Sequence, residues 1–291
     1  MALLDQLTVI TDELTQDFRQ ALNIASSVGC KTVEVRKVWN KNVALFSDSD
    51  LERMKKYLDK KDMKVSVISS PLFKCVLPSS KFATNKTASL SRNPNYNMSY
   101  FDRLVEIADF FETPYIRIFN FLKPMFGQKI EEKWREMIDL MKPYATKAEN
   151  KNKILVLENE SVAFADTVAN TIRFLDEIDS PAVKLNLDPG NFYSVRQPVT
   201  PDAYEVFYNR GWVQHMHIKD PRTRILKLHS LFDVVGTGKI NYKDIIQQAI
   251  DHNYTGYYSL ETHAASNLMQ KSVASLRYLK EMLEKLDSIE E

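Results

Sequence analysis

Short β-branched runs alternate with longer amphipathic stretches along this chain. The runs are Leu7–Thr11, Lys31–Arg36, Lys64–Ser69, Tyr115–Phe119, Ile154–Glu158, Val183–Asp188, Val213–Lys219 and Tyr257–Glu261, and each has the length and composition of a strand. Between them, apolar residues recur at helical spacing. Leu51, Met54 and Leu58 share one face of Leu51–Asp62, and similar patterns cover Ile130–Asn150, Asp166–Ile178, Tyr242–His252 and Asn267–Leu286. The strands are largely apolar rather than alternating, which implies burial on both faces and hence a parallel sheet covered by helices. Eight such alternations in 291 residues match a closed (β/α)8 TIM barrel. The rival is an open doubly wound sheet. Its glycine-rich phosphate loop is missing at the first strand–helix junction, Thr11–Thr15, and the whole chain has seven glycines. Two irregular stretches, Pro71–Asn97 and Arg222–Gly238, follow the third and seventh strands. In a barrel both lie on the face that carries active sites, so they are expected to form a lid and a substrate-binding loop.

Composition narrows the possible partners. With 44% hydrophobic and 26% charged residues and no linker-like tract, residues 1–291 are expected to form one globular α/β domain. A formal charge of +1 gives no bulk field toward nucleic acid or an anionic membrane, so neither is expected as a partner. The longest apolar runs are far shorter than a bilayer span, and Met1–Gln6 lacks the basic and apolar regions of a secretion signal, so a cytoplasmic location is expected. Cys30 and Cys75, the two cysteines, are too far apart in sequence for a Cys-x-x-Cys motif and indicate neither a disulfide framework nor a thiolate zinc site.

The chemistry stands at the strand ends. Strand five closes in Glu158-Asn-Glu160, strand six in Asp188-Pro-Gly-Asn191, strand seven in His215-Met-His217-Ile-Lys219-Asp220, and strand eight in Glu261-Thr-His263. One acidic residue at a strand end is usually a helix cap or a solvated turn residue. Four consecutive strands offering Glu158, Asp188, His217 and Glu261 around one barrel mouth are better explained as ligands of a single divalent ion, because buried carboxylates are costly without a partner. Such an oxygen-rich set suits Mn, Mg or Co better than a closed zinc site, with Zn still compatible, and open coordination positions would admit substrate oxygens. His217, nearer the strand end than His215, is the expected ligand, with His215 packed behind it. Asn191, three residues past Asp188, is expected to reach and bind substrate, while Asn159 and Asp220 read as supporting or capping groups. For Glu34 and Arg36 on strand two, and Glu13 near strand one, an ion pair bridging strands and a substrate contact are both open readings.

Several strings bear a resemblance: Leu157-Glu-Asn159, Leu187-Asp-Pro-Gly-Asn191, His215-Met-His-Ile-Lys-Asp220, Val235-Gly-Thr-Gly-Lys-Ile-Asn241, Gly256-Tyr-Tyr-Ser-Leu-Glu261, and the early Val33-Glu-Val-Arg36 with Trp39-Asn-Lys-Asn42. As an ordered set spanning nearly the whole chain, they resemble the xylose-isomerase-like barrel superfamily, in particular its sugar phosphate isomerase/epimerase group. The resemblance implies a metal held by Glu158, Asp188, His217 and Glu261, with Glu158 and Glu261 as the catalytic groups that move protons. It also implies a possible homodimer. In such enzymes the ion polarises a carbonyl and a neighbouring hydroxyl, and an enediolate forms when the adjacent carbon loses its proton. A weak carbon acid needs this pairing of Lewis acid and nearby carboxylates.

Departures from that pattern define the alternatives. Ketose epimerases of the group carry another acid where this chain has Phe164, a histidine where it has Asn191, and an arginine near Thr223. Zinc endonucleases of the superfamily carry histidines after strands three and four, where this chain reads Ser69-Ser70 and Phe119-Asn-Phe121. DNA processing is therefore disfavoured. Lys219, Arg222, Arg224 and Lys227, followed by Gly236-Thr-Gly238, are candidates to bind a phosphorylated sugar, with ordinary surface charge as the plain alternative. The expected function is a divalent-metal-dependent isomerase or epimerase of a sugar or sugar phosphate. The alternatives are a dehydratase of a polyol-derived ketone on the same site and a sugar-binding barrel without turnover.

Overall fold

The computed structural model describes residues 2–80, 93, 95, 98–124, 129–225 and 229–290, apart from the side chains of 224–225, 229–230 and 289–290. Eight strands form one parallel sheet: β1 (Leu7–Val9), β2 (Thr32–Val35), β3 (Lys64–Ser69), β4 (Tyr115–Ile118), β5 (Ile154–Glu158), β6 (Val183–Leu187), β7 (Val213–Ile218) and β8 (Tyr257–Leu260). Each strand pairs with its successor from β2 to β8, and β1 pairs with β8. A single parallel bridge from Ile10 to Glu34 spans the remaining gap between β1 and β2. The result is a nearly closed single (β/α)8 TIM barrel, as the alternation of apolar runs predicts.

Local signals set where the helices begin and end. Ser47 and Asp50 form a reciprocal capping box at the start of Asp48–Asp59, and Thr167 caps Val168–Ile178 through the Asn170 amide. Ile130–Asn150 is observed with the limits its periodicity predicts. The helices cover the sheet with buried residues such as Phe18, Leu22, Met54, Leu104, Met137, Phe174 and Leu279, so the strands are enclosed on their outer face. Cys30 and Cys75 are both buried free thiols, and burial pushes each up to about 12. Among the described residues no helix is long and apolar enough to cross a membrane.

Two loop expectations change. Arg222–Gly238 was expected to be irregular, but Asp220–Ile225 pairs antiparallel with His229–Asp233 to form a β-ribbon beyond β7. Its charged and proline residues hide the two-residue alternation of a strand. Of the expected lid, Pro71–Ser80 is described, whereas 81–92, 94, 96 and 97 lie outside the described residues, as does Lys227.

Candidate metal centre and active site

The C-terminal ends of β5 to β8 bring Glu158, Asp188, His217 and Glu261 together. One ligand atom from each lies within 4.8 Å of the others, and all four residues are buried. Local structure fixes each position. Glu158 ends β5, and its neighbour Asn159 clamps β6 by accepting from the Asp188 amide at 2.7 Å and donating to the Asp188 carbonyl at 2.9 Å. Asp188 is also the N-cap of the short helix Pro189–Ser194. Its Oδ1 accepts the Asn191 amide at 2.9 Å, which leaves Oδ2 facing the centre. Asn191 Nδ2 donates to Glu158 Oε1 at 3.0 Å and to Asp188 Oδ2 at 3.1 Å, tying two of the acids together.

His217 is oriented from behind. Its Nε2 sits 3.1 Å from Glu34 Oε1, while His215 Nε2 is 2.8 Å from Glu34 Oε2 and Ser259 Oγ donates to the same oxygen at 2.6 Å. Glu34 on β2 therefore pairs with the two histidines of β7 inside the barrel, so the strand-bridging ion pair is the arrangement observed for it. Burial alone would raise the Glu34 pKa, but the two histidines hold it well below the usual carboxylate range. With Nε2 so engaged, His217 Nδ1 points at the carboxylates. It lies 3.4 Å from Glu261 Oε2, 3.7 Å from Glu158 Oε2 and 4.0 Å from Asp188 Oδ2, and has no hydrogen-bond partner.

Positive side chains surround the acids. Arg117, inside β4, pairs with Glu158 Oε2 and lies 4.4 Å above the Phe119 ring. Arg36 bonds Glu261 Oε1 and Glu13 Oε1, each at 2.6 Å, and Asp12 Oδ2 at 3.0 Å, so the bridging ion pair is the arrangement observed for Arg36 and Glu13. Lys219 Nζ lies 2.7 Å from Asp188 Oδ2 and 2.8 Å from Glu261 Oε2. The Tyr242 hydroxyl holds the Lys219 backbone by accepting its N–H at 3.1 Å and donating to its carbonyl at 2.9 Å. A Cβ on Gly190 would lie 2.6 Å from Lys219 Cγ, so only glycine lets the short helix approach this close. Lys74 Nζ reaches Glu160 Oε2 at 2.6 Å above the Phe119 ring. Burial pushes Asp188 up to about 6, against the pull of Lys219, while Glu158 is held well below the carboxylate range because Arg117 and His217 outweigh its burial.

Other candidates lie apart from this cluster. Arg222 is exposed on the ribbon and 3.5 Å from Asp233, and the side chain of Arg224 lies outside the described residues. The Gly236-Thr-Gly238 amides, expected to be free for phosphate, are occupied. The Asp220 carboxylate accepts from Gly236, Gly238 and Lys239 at 2.9 Å each and from Ile240 at 3.2 Å. A Cβ on Gly238 would lie 2.1 Å from Asp220 Oδ1, which explains the glycine. Arg117 was missed in sequence. Its signal is a lone charge inside an otherwise apolar strand, a position that demands a buried partner.

The donor set suits a divalent cation: three converging carboxylates and a buried imidazole nitrogen that makes no hydrogen bond, at the C-terminal mouth of the barrel. Fold and site thus define a parallel α/β barrel with a carboxylate–histidine centre. The chain belongs to the xylose isomerase-like TIM barrel family, which matches residues 22–282. It is 22% identical over 273 residues to 3-dehydroshikimate dehydratase of Bacillus anthracis, covering 89% of this chain and 91% of that one. Among solved structures, the IOLI protein with a binding zinc atom superposes with a TM-score of 0.75 at 14% identity, covering 96% of this chain and 98% of that chain. D-allulose 3-epimerase from Methylomonas sp. superposes with a TM-score of 0.70 at 14% identity, covering 95% of this chain and 96% of that chain.

Proposed function

We propose that this chain is a divalent-metal-dependent enzyme that takes a carbon-bound proton from beside the carbonyl of a sugar-like hydroxy ketone. The observation that carries this reading is the buried set Glu158, Asp188, His217 and Glu261, with the unpartnered His217 Nδ1 facing the three acids. A divalent cation held there, Mn, Mg, Co or Zn, would supply the Lewis acidity that makes such a proton removable. Glu158 and Glu261 are the proton-moving groups. Arg117 keeps Glu158 ionised, His263, Lys219 and His217 keep Glu261 so, and Arg36 fixes it, as a base must be ionised before it accepts a proton. Asn191 and, once a cation displaces its ammonium from the acids, Lys219 bind substrate oxygens beside them.

Returning the proton to carbon isomerises or epimerises the ketone. Loss of a β-hydroxyl as water instead makes the enzyme a dehydratase, and the dehydratase from Bacillus anthracis, matched over nine-tenths of this chain, supports that outcome equally. Asp220, by taking the loop amides, favours an unphosphorylated substrate over a sugar phosphate. The test is to incubate the metal-loaded protein with a panel of hydroxy ketones in deuterated water, following carbon-bound hydrogen by NMR and product mass. Deuterium incorporation alone identifies an isomerase or epimerase, and loss of one water identifies a dehydratase. Neither change, with metal bound, would reject the enzyme in favour of a sugar-binding barrel.

A further inference from the structure

Lys219 reaches into the candidate cation site. Its ammonium touches Asp188 Oδ2 and Glu261 Oε2 at 2.7 and 2.8 Å and lies 3.9 Å from Glu158 Oε1. The same Asp188 Oδ2 and Glu261 Oε2 are two of the three acid oxygens that face His217 Nδ1. The two arginines of the site are arranged differently. Arg36 bonds the other Glu261 oxygen, Oε1, and Arg117 bonds Glu158 Oε2, a third oxygen facing His217 Nδ1 at 3.7 Å, but neither Asp188 nor the Glu261 oxygen that Lys219 uses. Among the described residues, Lys219 is thus the cation set on oxygens that two candidate ligands turn toward the histidine. Its side chain is 3% exposed, and the Tyr242 clamp and the contact with Gly190 keep its stem in place.

We propose that Lys219 is a built-in competitor of the divalent cation, neutralising Asp188 and Glu261 in the metal-free protein and weakening cation binding at that centre. Two like charges sharing two buried oxygens repel strongly in a poorly screened interior. The ammonium has donors only and leaves His217 Nδ1 without a hydrogen bond, 3.4 Å from its nearest acid oxygen, so it satisfies the oxygens of the site but does not ligate its nitrogen. A metal ion can use both. The free protein is thereby spared three adjacent uncompensated acids, and cation binding becomes reversible. This inference rests on the reading of the quartet as a cation site.

Isothermal titration of chelator-treated protein with Mn²⁺ tests it, comparing wild type with Lys219→Met and Lys219→Gln at one pH and ionic strength. Both variants are expected to bind Mn²⁺ at least about tenfold more tightly than wild type. Mn²⁺ should also raise their melting temperatures more than it raises that of the wild type. The glutamine variant keeps hydrogen-bonding capacity, so it gives the affinity comparison if the methionine variant does not fold without metal. Equal or weaker Mn²⁺ binding in the variants would overturn the competition and leave the cation site standing. No binding by any of the three proteins would reject the cation site itself, and the competition with it.

Discussion

The two halves of the barrel meet at one centre but contribute different things to it. Strands β5 to β8 end in Glu158, Asp188, His217 and Glu261, the candidate ligands. Strands β1 to β4 contribute none of these four. They instead supply Glu34, which holds the histidine, and Arg36 and Arg117, which hold two of the acids. A cluster of buried acids needs compensating charge; beyond Lys219, which follows β7, the opposite wall of the barrel is near enough to give it. The half without ligands therefore orders His217 and shares with Lys219 the neutralising of the half that has them.

Breaking the link between the halves at Arg117 should have the largest effect. Arg117→Met leaves Glu158 buried without its guanidinium partner and is expected to cost about 3–5 kcal/mol of stability in chemical denaturation, partly restored by a divalent cation. A loss too small to measure would mean that the pair contributes nothing and that the halves are independent. Glu34→Gln weakens the hold on His217 Nε2 without touching a ligand. Metal affinity measured by titration should fall about 10- to 100-fold. Unchanged affinity would separate the first half of the barrel from the site. The smallest of these effects belongs to the ribbon side, where Asp220→Asn removes the charge from a carboxylate that accepts four backbone amides. It should lower stability by about 1–3 kcal/mol and leave metal affinity unchanged. A parallel loss of metal affinity would extend the site into the Gly236–Ile240 loop.

The sequence carried the second half more openly than the first. The strand runs and the ordered polar ends of β5 to β8 are local patterns, and both the barrel and the gathering of the four residues could be read from them. The roles of Glu34 and Arg117 depend on partners far along the chain: His215 is 181 residues from Glu34, and Glu158 is 41 from Arg117. No periodicity records such a pairing. The Gly236-Thr-Gly238 string similarly offers amide donors without naming their acceptor, and only the fold identifies that acceptor as Asp220. Lys219 was legible as a charge near the site, but its position between Asp188 and Glu261 depends on how closely Gly190 lets the short helix approach.

The most direct test of the account is metal content per chain, measured after controlled loading and removal of excess ion, for the wild type and Glu261→Ala. The account predicts about one divalent ion per wild-type chain, as for a single cluster of four donors, and its loss in the variant. A wild type that retains no ion, or a variant that retains as much as the wild type, would contradict it.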